Sequence, residues 1–258
     1  MPKAFTRAVS PRLADCELTH LQRTPIDAQL AAEQHDEYER QLGLAGFEVV
    51  RLPDLPEHPD GVFVEDTALV LGEHAVILRP GAASRAPETS STADGLAPHF
   101  QLHRIEDGHV DGGDVLRIGK TLYVGLSTRT DARGIAALRE TVRPIGLDVV
   151  QAELKDCLHL KTGATLAGRD RSGAMVLIYN RHSVDPAQFA GVEPLPVHLD
   201  ESDAANCLLA RDRLILPAGN PRTAEQLCNR GFHVIEVDVS ELQKAEAGVT
   251  CMSLISEI

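Results

Sequence analysis

Residues 67–80 read TALVLGEHAVILRP, two apolar runs split by Gly72-Glu73-His74. Short apolar runs around a glycine or aspartate turn predict a β-hairpin. The pattern returns at 115–126 (VLRIGKTLYVGL) around Gly119-Lys120 and at 207–217 (CLLARDRLILP) around Arg211-Asp212. At 164–179 (ATLAGRDRSGAMVLIY) it returns with a longer turn. After each hairpin a polar loop leads into a plausible helix. Asp131 is placed to cap a helix carrying Ile135, Leu138 and Val142 on one face and stopped by Pro144. Thr223 and Gln226 form a capping-box pattern ahead of Gly231 at the expected helix end. Residues 27–45 also read as helical, with Leu30, Tyr38 and Leu42 at turn spacing.

A hairpin, an arginine-bearing loop and a helix thus recur about every 45 residues. Arg85, Arg129 and Arg222 hold similar places in three of the units. The chain has 258 residues, room for about five such units in one domain over 1–258. A ring of α/β modules around a central channel fits these hairpins better than one doubly wound parallel sheet.

Apolar residues make up 43% of the chain, aromatics 3%, and tryptophan is absent. The core must therefore be built from Leu, Val, Ile and Ala. A net charge of −13 argues against nucleic acid and anionic membranes as partners and suits a cationic small molecule. The five cysteines, Cys16, Cys157, Cys207, Cys228 and Cys251, form no CxxC pair. Their scatter points to a reducing compartment rather than a disulfide framework. The opening MPKAFTRAVSPRLADCEL has no apolar signal core, and no apolar run is long enough to span a bilayer. These features lead us to expect a cytoplasmic protein. The oligomeric state stays open, a homo-oligomer included.

Four clusters carry chemistry. PDGVFVED (59–66) sets Asp60, Glu65 and Asp66 just before a strand. VDGGD (110–114) does the same with Asp111 and Asp114. HLKTG (159–163) supplies His159, and GVTCMS (248–253) supplies Cys251. Each has an ordinary structural explanation, since acidic turns, core histidines and buried cysteines are common. Cys157-Leu158-His159 has no second ligand pair to complete a zinc site. Together, however, the clusters offer a nucleophile, an acid/base and an orienting carboxylate, with acidic groups left over for a cation.

In this order the motifs resemble the dimethylarginine dimethylaminohydrolases of the guanidino-group-modifying pentein superfamily. The resemblance rests on LTHL (18–21), PDGVFVED, RPGAASR (79–85), DGGDVL (111–116), VGLSTRT (124–130), HLKTG, AANC (204–207) and GVTCMS. It implies a five-bladed α/β propeller that converts methylated free arginine to citrulline without metal or organic cofactor. By the same resemblance Cys251 is the nucleophile, His159 the acid and then base, and Asp111 the histidine's partner. Glu65 and Asp66 lie at the guanidinium end. Asp60, Arg85 and Arg129 hold the α-amino and α-carboxylate groups. Leu18 lies on a mobile lid, and Ala245 contacts substrate through its carbonyl. Arginine deiminase, amidinotransferase and a non-enzymatic pentein binding module remain as alternatives. Two departures stand out. Ala245-Glu246-Ala247 replaces the Val- or Ile-Asp-Gly usual before the nucleophile, and Ala86 replaces an arginine that often follows Arg85.

Overall fold

The structure is a computed structural model and describes residues 1–256. The chain begins with β1 (Lys3–Thr6), α1 (Ala28–Leu44) and β2 (Glu48–Arg51). It continues through β3 (Ala68–Leu71), β4 (His74–Ile77), α2 (Glu88–Leu96) and β5 (Gln101–Arg104). Next come β6 (Val115–Ile118), β7 (Thr121–Gly125), α3 (Ala132–Val142) and β8 (Asp148–Ala152). The one-turn helix α4 (Leu160–Gly163) leads to β9 (Ala164–Arg169), β10 (Met175–Tyr179) and β11 (Glu193–Pro196). The last stretch holds β12 (Leu208–Ala210), β13 (Arg213–Pro217), α5 (Pro221–Arg230), β14 (His233–Val237), α6 (Ser240–Gln243) and β15 (Leu254–Ile255).

Among the described residues the strands form five three-stranded sheets. Each has a middle strand that pairs antiparallel with one neighbour and parallel with the other. All four expected hairpins are present. The remaining blade is assembled from both ends of the chain, with β15 antiparallel and β2 parallel to β1. One cavity of about 280 Å³ is lined by residues of β3, β6, β9, β12 and β15. One edge strand of every sheet therefore faces a common centre, and the fold is a five-bladed α/β propeller. Within the blades the apolar clusters are aliphatic, as the scarcity of aromatics requires.

Helix α3 follows its sequence signals. The Asp131 carboxylate accepts the Gly134 N–H, and Ile135, Leu138 and Val142 are buried. Three expectations are corrected. In α5 Asn220 is the N-cap residue, and Thr223 lies inside the helix. The Glu201 carboxylate, from the loop between β11 and β12, accepts the Arg222 and Thr223 N–H groups, doing the work assigned to a local capping box. In α1 the buried face runs through Ala31, His35, Tyr38 and Leu42, leaving Leu30 39% exposed. One position off the stripe is a rotation of about 100°. The fourth blade has no α-helix between β10 and β11. Pro186 opens only a single turn there, and Phe189 then drops onto the Tyr123 ring, 5.0 Å away between centroids. Among the described residues no helix is long and apolar enough to cross a membrane.

Candidate active site

Each strand nearest the centre is preceded by one helical turn. The five turns span Val64–Thr67, Gly112–Asp114, Leu160–Gly163, Ser202–Ala205 and Val249–Met252. Repetition of the blade thus brings five loops to one end of the channel. Four of them carry the clusters singled out in the sequence. The fifth ends at Asn206, whose amide accepts the Thr250 N–H and donates to the Thr250 hydroxyl and the Lys161 carbonyl. Asn206 thereby braces the turn that holds Cys251.

A small cavity of about 30 Å³ sits among these loops, lined by Asp60, Asp66, Arg85, Asp111, Arg129, His159, Ala245 and Cys251, with Glu17 and Glu246 at its margin. Eight of the ten residues expected at a site therefore meet in one place. The other two do not line it. Leu18 packs against the core beside the chain termini, and Glu17 faces the cavity instead. Glu65 and Asp66 are neighbours on one turn but serve opposite sides. Asp66 faces the pocket, whereas Glu65 bonds Lys161 Nζ at 2.5 Å and the Thr250 hydroxyl at 2.8 Å beside the central channel. Arg222 also lies elsewhere. It is exposed and stacks its donors on His198.

His159 is held from several directions. Its Nε2 is 3.0 Å from Asp111 Oδ2. The Asp114 carboxylate accepts the Leu160 N–H and the Ser127 hydroxyl, fixing the turn that begins at His159. Two glycines permit the close packing. A Cβ on Gly113 would fall 2.6 Å from the His159 ring, and one on Gly112 would fall 1.9 Å from the Glu65 carbonyl oxygen. Arg85 is buried, bonded to the carboxylates of Asp66 and Glu88 and to the carbonyls of Asp60 and Phe63. Glu88, Asp114, Lys161, Asn206 and Thr250 are supporting residues that sequence reasoning left without a role. Asp114, Lys161, Asn206 and Thr250 lie inside the quoted motifs VDGGD, HLKTG, AANC and GVTCMS, and Glu88 lies outside all of them.

Burial opposes the charge on His159, but Asp66, Asp111 and Asp114 outweigh it and raise the imidazole to about 9. Burial also pushes the Cys251 thiol up to about 12, reinforced by the Glu65 and Asp66 carboxylates and only partly offset by the Gly248 N–H and Lys161. Asp60 is raised to about 6 by burial, against the pull of Arg85. Asp66 stays below the usual carboxylate range, because His159 and Arg85 outweigh its burial. Oxygen or nitrogen atoms of Asp66, Asp111 and His159 lie within 4.8 Å of one another. These shifts favour a thiol and an imidazolium at neutral pH, facing carboxylates.

No protein-family model matches the chain. It is 39% identical over 254 residues to the N(G),N(G)-dimethylarginine dimethylaminohydrolase of Streptomyces coelicolor, covering 98% of this chain and 96% of the relative. The chain belongs to the dimethylarginine dimethylaminohydrolase family. The Pseudomonas aeruginosa family member, solved as a cysteine-to-serine mutant with citrulline, superimposes with a TM-score of 0.90 at 36% identity, over 99% of both chains. A histidine-to-glycine family member in adduct with S-methyl-L-thiocitrulline gives 0.89 at 35% identity, covering 99% of this chain and 100% of that one.

Proposed function

We propose that this chain hydrolyses Nω-methylated free arginine, asymmetric dimethylarginine or monomethylarginine, to citrulline and dimethylamine or methylamine. One observation carries the reading. The buried His159–Asp111 pair and Cys251 line one pocket whose remaining charged groups suit the two ends of a cationic amino acid. Asp60 and Arg129 take the α-amino and α-carboxylate groups, and Asp66 and Asp111 face the guanidinium. Glu65 acts from behind, through the turn it shares with Asp66 and through its field at the thiol.

A thiol at about 12 is a poor nucleophile at neutral pH. The bound guanidinium supplies the missing positive charge, and the thiol proton leaves to solvent. The Cys251 thiolate attacks the guanidinium carbon and forms a C–S bond. His159, already protonated, gives its proton to the dimethylamine nitrogen as that C–N bond breaks. A planar S-alkylthiouronium remains on Cys251. Neutral His159 then takes a proton from water while the hydroxide adds to the same carbon. Collapse breaks the C–S bond, the proton of the added hydroxyl passes to solvent, and citrulline leaves with Cys251 as thiolate and His159 protonated. The sum is one dimethylarginine and one water in, one citrulline and one dimethylamine out.

The test offers dimethylarginine, monomethylarginine and arginine separately and measures citrulline, dimethylamine, methylamine and ammonia. The methylated compounds should be turned over with release of the methylated amine. Arginine consumed as efficiently, with ammonia released, would replace this reading with a deiminase.

A further inference from the structure

We infer that Glu246 is a positioning residue that fastens the 17–21 loop over the pocket, and that it is the fastener which substrate leaves in place. Its carboxylate accepts the backbone N–H groups of Thr19, His20 and Leu21 in succession. Successive amides converging on one anion make a nest. Glu246 has φ +62°, in the left-handed region unusual for glutamate. The left-handed position of this turn is thus filled by Glu246, between Ala245 and Ala247. Ala245 and Ala247 then flank the pocket, while the Glu246 carboxylate reaches to the loop.

Three other contacts hold the same loop. The Glu17 N–H donates to the Asp60 carboxylate, Arg129 Nη2 donates to the Thr19 hydroxyl at 2.8 Å, and Ser84 donates to the Glu17 carboxylate at 2.6 Å. The pocket, about 30 Å³, is small beside a free amino acid, and on this reading the loop shifts as substrate enters. On the function proposed above, Asp60 and Arg129 are the groups that grip the amino-acid end of substrate. Substrate and loop therefore compete for two of the tethers. The Ser84 contact is exposed and weak. Glu246 spends its oxygens on the loop alone, and its hold survives the exchange.

Two variants test this, read first in the free chain by amide hydrogen exchange. Glu246→Gln sets an amide N–H₂ against the loop donors. Glu246→Asn tolerates the left-handed backbone but is a methylene shorter. Exchange at Thr19, His20 and Leu21 should accelerate about tenfold or more while the five sheets keep their protection. With dimethylarginine, KM should rise about fivefold or more and kcat change less than about threefold, since closure is weakened before chemistry begins. Glu246→Asp should recover part of both. Unchanged exchange at residues 19–21 in both variants would overturn the latch. Faster exchange with KM unaltered would overturn its positioning role. The exchange readout needs no substrate, so an error in the substrate assignment shows separately, as absent turnover in the parent chain.

Discussion

Nε2 of His159 lies 3.0 Å from Oδ2 of Asp111, and neither side chain is more than slightly exposed. A histidine sealed in this way without anionic neighbours would be neutral. Three aspartates reverse that outcome, so the acid is loaded before substrate arrives, whereas the thiol is not. The cation completes the site by lowering the thiol, and this ties nucleophile formation to occupancy.

The pH profile of kcat/KM follows from these shifts. Asp60 must be ionised to hold an α-ammonium group, and it gains a proton as pH falls through about 6. His159 must be protonated to release the amine, and it loses that proton as pH rises through about 9. Because binding also releases the Cys251 proton to solvent, kcat/KM should climb with pH between those two limits and stop climbing at an upper limb near 9. Asp111→Asn removes one of the anions that raise His159. Its upper limb should move to lower pH, with a rate loss of about 10²–10⁴-fold. An upper limb that stays in place would separate His159 from the first half-reaction.

Gly113→Ala probes the packing on the histidine. The new Cβ would lie 2.6 Å from the ring and 3.1 Å from Asp66 Oδ1, so the imidazole must yield. We expect a folded protein with turnover reduced about 100-fold, the scale of an ångström-sized misplacement. Near-parental kcat with an unchanged fold would show that the site tolerates a displaced ring.

The hairpins were legible because each is local, with apolar alternation and a turn residue inside about a dozen positions. The helix caps were legible only where the partner was also local. Asp131 met that condition. The Glu201 cap on α5 did not, because its partner lies 21 residues away. The site divides in the same way. Cys251, His159 and Asp111 announce themselves by residue type within recurring motifs. Asn206 and Glu88 act through contacts that only blade packing creates. The opposed directions of Glu65 and Asp66 depend on the pitch of one short turn and cannot be read from adjacent letters.

Cys251 should be the sole essential thiol. Cys251→Ser should fold and give no turnover, because a hydroxyl has no thiolate-like anion at neutral pH. His159→Ala retains the nucleophile but lacks both the acid of the first half-reaction and the base of the second, so any adduct that still forms should persist. Mass spectrometry of its quenched reaction should show a thiouronium adduct on Cys251. An adduct on Cys16, Cys157, Cys207 or Cys228 instead would overturn the assignment.

Arg85 and Arg129 were paired by their places in the repeat, yet their surroundings call for different outcomes. Glu88 is 1% exposed and Asp66 4%, and both depend on the Arg85 guanidinium. Arg85→Ala would strand two buried carboxylates, a loss of about 3–5 kcal/mol in stability. Arg129 is half-buried and donates to Thr19 at the rim of the pocket. Arg129→Ala should leave unfolding within about 0.5 kcal/mol of the parent. It should raise KM for dimethylarginine by the worth of a charged hydrogen bond, about 1.5–3 kcal/mol. That penalty should vanish with the decarboxylated analogue, which gives Arg129 nothing to bind. Thermal unfolding and kcat/KM, measured on both variants with both compounds, separate the two roles. If Arg85→Ala unfolds like the parent and its rate loss disappears with the decarboxylated compound, Arg85 is the carboxylate reader after all. If Arg129→Ala loses equally with both compounds, Arg129 acts through the loop it holds at Thr19 and not through the substrate.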